Sequence, residues 1–374
     1  MSTLDLSIDD TLNLVTLSDI KWNADGSRIG FLRFAEGETT FAAQGVGDVA
    51  STNVSLRDGT FAPETHVDRP VSAFAWRPNE PDQALLLSEG DLHLLDAASG
   101  QIERFSGAPD DHGVPVWHPD GDRVAYVRDR TVWIHDVGGP IRALDAGEDF
   151  VPADLFGPTP LSWSPDGRHL GVVVETDRET LGVAVYDVTD DELVWEATPA
   201  PADDCLRGDF AWVGAEHLVY AEDSADGSER VYRSVRLGED DGLGVAIASE
   251  SVDGLLLPHT PVGHESGRLA VVSARTGYRH VYAVDVDDRR EAVESDRPGL
   301  ERRGICQVTA GEFEARGDAD DRPAWDPDGD RIAYVTNEVD AGERHLEVAT
   351  LDGGSVVSRT RFDDVDGNTV YPDW

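Results

Sequence analysis

A tryptophan followed by a tight turn recurs along this chain and constrains its fold more than any other feature. In residues 161–175, LSWSPDGRHLGVVVE, Trp163 ends one apolar segment, Ser-Pro-Asp-Gly follows, and a second apolar segment begins. Pro165 suits the second position of a type I turn because its ring fixes φ, and Gly167 suits the fourth. The valines after the turn are typical of a strand. The segment therefore predicts two antiparallel strands joined by a tight turn.

The same unit appears in six further places. Close copies begin at Trp22, Trp117 and Trp325, weaker copies at Trp76 and Trp212, and a copy without tryptophan at Gly263. The last residue, Trp374, stands where an eighth copy would begin. The copies are separated by roughly 40 to 60 residues, which is the period of a four-stranded propeller blade. Tryptophans in phase with such a repeat are expected to pack between blades and not to form a ligand platform.

Each unit also has a second half, in which an alternating strand ends near an aspartate and another turn follows. Examples are residues 91–100, 131–139, 182–191, 280–288 and 345–354. The two halves give four strands per unit, so the sequence predicts an all-β fold, a β-propeller of four-stranded blades. Seven blades are expected, within a range of six to eight, with a ring that is incomplete at its C-terminus. Residues 1–20 are expected to form a separate N-terminal segment with a short helix from Ser7, and residues 21–374 the propeller.

Charge is the most unusual global property. The chain has 74 acidic and 31 basic residues, a formal net charge of −43, and Lys21 is its only lysine. The bias extends over the whole length, which predicts a protein of a high-salt cytoplasm, where self-repulsion is screened. Nucleic acid is not expected as a partner because a basic surface is missing. No apolar run is long enough for a transmembrane helix and the N-terminus does not resemble a signal peptide, so no membrane association is expected.

The sequence shows no motif that carries catalysis. The nucleophile elbow G-x-S-x-G, the phosphate loop G-x-x-x-x-G-K-[ST] and the zinc motif H-E-x-x-H do not occur. Asp326, Asp328 and Asp330 alternate like the start of a calcium loop, but Arg331 stands where that loop needs glycine. Asp364 and Asp366 form an equally incomplete pattern, so both acidic groups are interpreted as turns.

Histidines and cysteines receive structural interpretations. His135, His280 and His345 each lie in a predicted strand beside apolar residues, with no partner group in the pattern. Cys205 and Cys306 are far apart, match no metal spacing, and are expected to be small core residues without a disulfide. The sequence therefore predicts no catalytic residue, no metal site and no cofactor.

Three segments show a family resemblance beyond the turn repeat, which itself is typical of TolB-like propellers. Residues 8–26, IDDTLNLVTLSDIKWNADG, resemble the start of acylaminoacyl-peptidase-like and dipeptidyl-peptidase-like proteins. Residues 276–285, TGYRHVYAVD, resemble their D-G-W-R-H-L-Y strand, and residues 308–314, VTAGEFE, precede a late turn motif in the same order. The chain thus resembles, over its whole length, the N-terminal propeller of the prolyl oligopeptidase family of serine peptidases.

That resemblance implies a propeller that covers a C-terminal α/β-hydrolase domain carrying Ser, Asp and His, and no such domain occurs in this chain. The Glu-Glu pair by which dipeptidyl peptidases hold a substrate amino terminus has no match either, which favours the acylaminoacyl or oligopeptidase type. We therefore expect a non-catalytic, substrate-gating propeller, truncated before the hydrolase domain, whose partners are that domain or a peptide substrate. The alternative is a stand-alone TolB-like propeller that acts as a binding scaffold, and an enzyme with an unprecedented site between blades is the third possibility.

Overall fold

The structure is a computed structural model in which a defined set of residues is described. These are residues 16–25, 27–35, 38–45, 65–67, 69–105, 113–144, 151–152, 161–175, 180–199, 205–214, 217–240, 242–251, 261–295, 303–316, 323–326, 328–339, 345–352 and 354–361. Their strands form seven antiparallel sheets in which hydrogen-bonded neighbours follow one another along the chain. The chain divides into two compact units, Met1–Ala143 and Leu144–Trp374.

The first unit contains three four-stranded sheets, called blades 1 to 3. Blade 1 consists of β1 (Thr16–Trp22), β2 (Arg28–Ala35), β3 (Glu38–Gly45) and β4 (Thr65–Val67). Blade 2 consists of β5 (Ala73–Trp76), β6 (Gln83–Ser88), β7 (Asp91–Asp96) and β8 (Gln101–Arg104). Blade 3 consists of β9 (Val116–Trp117), β10 (Arg123–Arg128), β11 (Thr131–Asp136) and β12 (Ile141–Ala143).

The second unit contains blades 4 to 7. Blade 4 consists of β13 (Val151–Pro152), β14 (Leu161–Trp163), β15 (His169–Glu175), β16 (Leu181–Asp187) and β17 (Glu192–Ala197), and blade 5 of β18 (Cys205–Val213), β19 (His217–Ser224), β20 (Glu229–Arg236) and β21 (Val245–Ser251). Blade 6 consists of β22 (Val262–Gly263), β23 (Arg268–Ser273), β24 (His280–Asp285), helix α1 (Val286–Glu294) and β25 (Ile305–Gln307). Blade 7 consists of β26 (Ala315–Arg316), β27 (Ala324–Trp325), β28 (Arg331–Thr336), β29 (His345–Asp352) and β30 (Ser355–Arg361). In blades 4 and 7 the first strand is in two pieces that pair with the same neighbour.

The predicted Ser-Pro-Asp-Gly turn has the expected geometry. The amide of Gly167 donates to the carbonyl of Ser164 at 2.8 Å, and Gly167 has a φ of 71°. The carboxylate of Asp166 accepts from the Ser164 hydroxyl at 2.6 Å and from the Arg168 amide at 3.0 Å. Burial opposes ionisation of Asp166, but these hydrogen bonds hold its pKa below the ordinary value. The glycine is needed here because other residues are strained at positive φ.

The repeated tryptophans join neighbouring blades. In four of them the indole N–H donates to a backbone carbonyl in the first strand of the preceding blade, at the residue just before the repeated tryptophan position. The pairs are Trp76 to Lys21 at 3.1 Å, Trp117 to Ala75 at 3.1 Å, Trp212 to Ser162 at 3.0 Å and Trp325 to Val262 at 3.1 Å. This geometry confirms the predicted packing role of these four tryptophans.

Blade 6 has Gly263 where the other copies have tryptophan. A β-carbon on Gly263 would lie 2.8 Å from the carbonyl carbon of Trp212 and closer still to its oxygen. The backbones of blades 5 and 6 therefore meet directly, and the amide of Gly214 donates to the carbonyl of His264 at 2.9 Å. Here glycine permits a close backbone contact in place of the indole.

Most of the apolar core lies between neighbouring blades. One cluster joins blades 1 and 2, another joins blades 2 and 3, and further clusters join blades 4 and 5, blades 5 and 6, and blades 6 and 7. A sheet that packs against another sheet on each side buries the side chains of both its faces. The unbroken apolar runs of the second strands, such as β15, follow from burial on both faces.

Helix α1 is a feature that the sequence did not predict. It begins after Asp285, whose carboxylate accepts from the amide of Asp288 at 2.9 Å, so the repeated aspartate serves here as an N-cap. An arginine, Arg290, occupies its buried face beside Val286 and Ala292, which hides the apolar period of the helix.

Several predictions fall on the ends of the chain. The predicted helix from Ser7, the acidic pair Asp364 and Asp366, and Trp374 lie outside the described residues. Strand β1 begins at Thr16, and the division of the chain at residue 20 stays a prediction. No helix in the described part of the chain is long and apolar enough to cross a membrane.

Candidate functional site

Both ring nitrogens of His280 have hydrogen-bond partners. Its Nδ1 lies 3.0 Å from the Thr309 hydroxyl, and its Nε2 lies 3.1 Å from the carbonyl of Gly311. Phe313 meets the imidazole edge to face, with ring centroids 5.2 Å apart. Burial lowers the pKa of His280, so the ring is held neutral between partners that need no charge.

The structure brings together two of the segments that carry the family resemblance. Thr309 also accepts from the amide of Val281 at 3.1 Å. The amide of Ala315 donates to the carbonyl of Arg279 at 2.8 Å, and the amide of Arg279 donates to the Glu314 carboxylate at 3.2 Å. Residues 276–285 and 308–314 therefore form one hydrogen-bonded junction between blades 6 and 7.

Other residues considered in the sequence also occupy structural positions. Asp326 caps its turn, with one carboxylate oxygen accepting from the amides of Asp330 and Arg331 at 3.0 and 2.9 Å. His135 packs on Phe105, with ring centroids 4.4 Å apart, and His345 lies in β29. No disulfide joins Cys205 to Cys306, and both are half-buried, so they are less buried than expected.

One constellation in blade 5 has the hydrogen-bond order of a serine hydrolase triad. Nδ1 of His217 lies 3.2 Å from the hydroxyl of Ser234, and Nε2 lies 3.0 Å from a carboxylate oxygen of Asp287 on helix α1. Burial lowers the pKa of His217, although the Asp287 carboxylate works in the opposite direction. A neutral imidazole can therefore accept from Ser234 and donate to Asp287, as a catalytic base does.

The burial of these groups is the reverse of what that chemistry needs. Ser234 is fully buried, whereas the Asp287 side chain is 68% exposed. A guanidinium nitrogen of Arg290 lies 3.4 Å from the Ser234 hydroxyl and 2.8 Å from its carbonyl oxygen. A substrate carbonyl cannot approach the hydroxyl, so this network anchors helix α1 to blade 5.

The strongest candidate for a functional surface is a charged group at one end of blade 5, here called the arginine cluster. It consists of Arg207, Arg230 and Arg233 with Asp209, Glu222 and Asp223. Two members, Arg207 and Asp209, belong to β18, the first strand of its blade. The other members lie in the two strands that follow, so the charges meet at one end of the blade.

Pairing within the arginine cluster is tight. Arg207 and Arg233 share Glu222, with nitrogen–oxygen distances of 2.6 and 2.9 Å, and Arg230 holds both oxygens of Asp223 at 2.6 Å. Burial opposes ionisation of Glu222, but the two arginines hold its pKa below the ordinary value. Arg207 and Arg230 are each only 3% exposed. The charges of this cluster are held in fixed positions by their pairing, and none of its groups is placed as a nucleophile or a general base.

Sequence reasoning missed this cluster because its members are spread along the chain and belong to no recognised motif. A signal was nevertheless present in β18, where Arg207 and Asp209 stand two positions apart in a strand. The other four members lie in the neighbouring strands β19 and β20. Antiparallel pairing of Arg207 with Glu222 could have been proposed from the blade repeat.

Together these observations define the chain as a seven-bladed β-propeller with a charged first strand in blade 5, and comparisons with known proteins agree. The chain is similar over 91% of its length to the crystal structure of Porphyromonas gingivalis dipeptidyl peptidase 4, with a TM-score of 0.60 and 14% sequence identity. That similarity covers 52% of the other chain, so this sequence spans about half the length of that protein. At this identity the likeness shows the fold.

The family follows from the sequence itself. Residues 176–367, just over half of the chain, match the dipeptidyl peptidase IV N-terminal region. The chain belongs to that family, and the predicted resemblance to a propeller of the prolyl oligopeptidase family is confirmed. The match does not support the preference for the acylaminoacyl type that the missing Glu-Glu pair suggested. No curated protein matches the sequence.

Proposed function

We propose that this chain is a non-catalytic propeller that controls access of peptides to an active site on an α/β-hydrolase domain. The match of residues 176–367 to the dipeptidyl peptidase IV N-terminal region carries the proposal. The closed network around Ser234 supports it, because the one serine–histidine–aspartate arrangement in the described residues offers no path to its hydroxyl. The catalytic serine would then belong to the hydrolase domain.

Gating requires a surface that keeps its shape and charge while a peptide passes. The arginine cluster has both properties, because each guanidinium is held by carboxylates and Arg230 is held by two of them. Buried, hydrogen-bonded charge pairs of this kind resist rearrangement. We infer that this end of blade 5 contributes to the selection of peptides by size and charge.

Two assays test the proposal. The purified chain is incubated with chromogenic dipeptides and with a longer peptide, and we expect hydrolysis of neither. An α/β-hydrolase domain encoded beside or in frame with this chain is then assayed alone and with the propeller. We expect the propeller to suppress hydrolysis of long polypeptides more than that of dipeptides. Hydrolysis by the purified chain that Ser234→Ala abolishes would overturn the proposal.

We also propose that the acidic composition reflects a high-salt cytoplasm. A net charge of −43 destabilises a compact state by self-repulsion, and molar salt reduces the Debye length to about 3 Å. We expect the melting temperature to fall when molar KCl is replaced by dilute buffer, as measured by calorimetry. An unchanged or higher melting temperature in dilute buffer would contradict this interpretation.

A further inference from the structure

The segment that joins the second and third strands of blade 6 differs in charge from its counterparts. In the other six blades this segment contains at least one acidic residue. Those residues include Glu36, Glu89, Asp129, Asp177, Asp226 and Glu338. In blade 6 the segment is residues 274–279, ARTGYR, with two arginines and no acid. We call residues 274–279 the blade 6 hairpin.

Burial does not account for the missing acids, because the tip of the blade 6 hairpin faces solvent. Arg275, Thr276, Gly277 and Tyr278 are all exposed, and Tyr278 is 38% exposed. In a chain with 74 acidic and 31 basic residues, an exposed hairpin with only positive charge is a marked exception. Arginine and tyrosine are also residue types that are enriched where proteins bind other chains. The hairpin therefore has the composition of a binding surface.

The Arg275 side chain is held by three contacts. Its Nε donates to the Ser273 hydroxyl at 2.9 Å, its amide donates to the same oxygen at 3.3 Å, and its guanidinium lies 4.9 Å from the ring centroid of Tyr282. Among the described residues no acid lies within ion-pair distance of this guanidinium, and its terminal nitrogens have no acceptor. Two parallel donors of an arginine match the two oxygens of a carboxylate. Arg275 thus keeps its terminal donors available for such a group.

The backbone of the blade 6 hairpin is fixed as well. The amide of Gly277 donates to the carbonyl of Ala274 at 2.8 Å, which closes the turn. At the other end, the amide of Arg279 donates to the Glu314 carboxylate at 3.2 Å. A surface that is ordered before binding loses little conformational freedom when a partner arrives. The hairpin therefore presents Arg275 at a small entropic cost.

The blade 6 hairpin lies at the same end of blades 5 and 6 as the arginine cluster, and Glu250 links the two. Glu250 pairs with Arg230 in the register of β20 and β21. Its carboxylate accepts from the Tyr232 hydroxyl at 3.4 Å and from the Ser273 hydroxyl, which in turn accepts from Arg275. Glu250 therefore contacts Arg275 through a serine and leaves the terminal nitrogens of the arginine unoccupied.

We propose that the blade 6 hairpin binds acidic peptides, with a glutamate or aspartate side chain on the terminal nitrogens of Arg275 and the neighbouring peptide chain against Tyr278. The proposal rests on the peptide-gating function and names the class of peptide that this end of blades 5 and 6 selects. A net charge of −43 repels an acidic peptide from most of the surface, so an arginine without an acid gives it a specific point of attachment.

The test compares two dye-labelled heptapeptides, one with three glutamates and one with glutamines at the same positions. Binding to the full chain is measured by fluorescence anisotropy at the lowest KCl concentration at which melting curves show a folded chain. We expect the glutamate peptide to bind about tenfold more tightly, because a charge-assisted hydrogen bond is stronger than a neutral one. Molar KCl should weaken its binding more than that of the glutamine peptide.

Three variants make the result specific. Arg275→Gln should weaken binding of the glutamate peptide about tenfold, and Arg275→Lys should restore part of the loss because it keeps the charge without the paired donors. Arg303→Gln is the matched control, since Arg303 already pairs with Asp288 and Glu291, and should leave binding unchanged. Melting curves show whether each variant is folded. Equal binding of the two peptides, undiminished binding by folded Arg275→Gln, an equal loss in Arg303→Gln, or no binding at millimolar peptide would overturn the proposal.

The binding test needs no hydrolase, so its outcome is separate from that of the gating assays. Failure of the glutamate peptide to bind would remove the role of Arg275 and leave suppression of hydrolysis as the test of gating. If the propeller did not suppress hydrolysis but bound the glutamate peptide through Arg275, gating would be wrong and the blade 6 hairpin would stand as a peptide-binding surface.

Discussion

The boundary between blades 4 and 5 and the boundary between blades 5 and 6 are built differently. At the first, the indole of Trp212 donates to the carbonyl of Ser162 at 3.0 Å, as other repeat tryptophans do. At the second, Gly263 replaces the tryptophan, and the backbones meet through Gly214 and His264. The comparison shows that the indole fills the space between two neighbouring blades, and that a direct contact between their backbones can replace it.

The second boundary also has an additional element and additional charge. Helix α1 covers β21, and Ile247, which lies at the β-bulge of that strand, is fully buried. Val194 lies at the corresponding β-bulge of blade 4 and is 44% exposed. Arg275 packs on the ring of Tyr282, and Arg289 of helix α1 donates to the carbonyl of Ile247. The irregular boundary therefore adds a helix and two arginine contacts to its packing, whereas the regular boundary relies on the repeated indole contact.

The largest expected effect comes from Gly263→Ala. A β-carbon there would collide with the Trp212 carbonyl, which is backbone and cannot rotate away. We expect the free energy of unfolding to fall by about 3 kcal/mol or more, as in severe overpacking. Urea denaturation at fixed KCl measures this change.

Gly208→Ala is the matched control for that substitution. Gly208 lies in the first strand of blade 5, and a β-carbon there would meet Leu181 at an ordinary 3.9 Å. We expect its effect to be less than about 1 kcal/mol. If the two variants were equally stable, the direct backbone contact would not be what joins blades 5 and 6.

An intermediate effect is expected for Trp212→Phe. Phenylalanine keeps an aromatic ring but cannot donate to the Ser162 carbonyl. Trp212 is only 7% exposed, so the smaller ring also leaves a cavity. The free energy of unfolding should fall by about 2 kcal/mol. Trp325→Phe removes the equivalent bond to Val262 and should cost a similar amount. A negligible cost for either would mean that the indole bond does not set the blade spacing.

The sequence predicted the repeated parts of this molecule and missed the parts that occur once. The turn at Gly167 and the bonds of Trp76 and Trp325 follow from residue types that recur in phase, so local chemistry decides them. Helix α1 was missed because Arg290 occupies its buried face. Arg207 and Glu222 meet only after two strands pair. Contacts that depend on strand pairing leave only a weak local signal, such as the spacing of Arg207 and Asp209, so the arginine cluster was missed.

The smallest expected effect is a pH dependence of the free energy of unfolding that comes from His217, the residue of blade 5 that contacts helix α1. Burial lowers the pKa of His217 in the folded chain below the ordinary value of 6.5, so the unfolded chain binds the proton more readily. Stability from this group is complete above about pH 6.5 and is lost as the pH falls through the lower folded pKa. His217→Gln cannot titrate, so its free energy of unfolding should decrease less on acidification.

Urea denaturation of both proteins between about pH 7.5 and 5 at constant KCl measures this difference. Burial also lowers the pKa of His169 and His280, so the variant keeps part of the decrease. Glu222, whose pKa is also lowered, contributes only below about pH 4.5, which separates the arginine cluster from the α1 network. Parallel pH profiles for the two proteins would mean that His217 titrates as it does in the unfolded chain, and that its contacts with Ser234 and Asp287 do not hold it neutral.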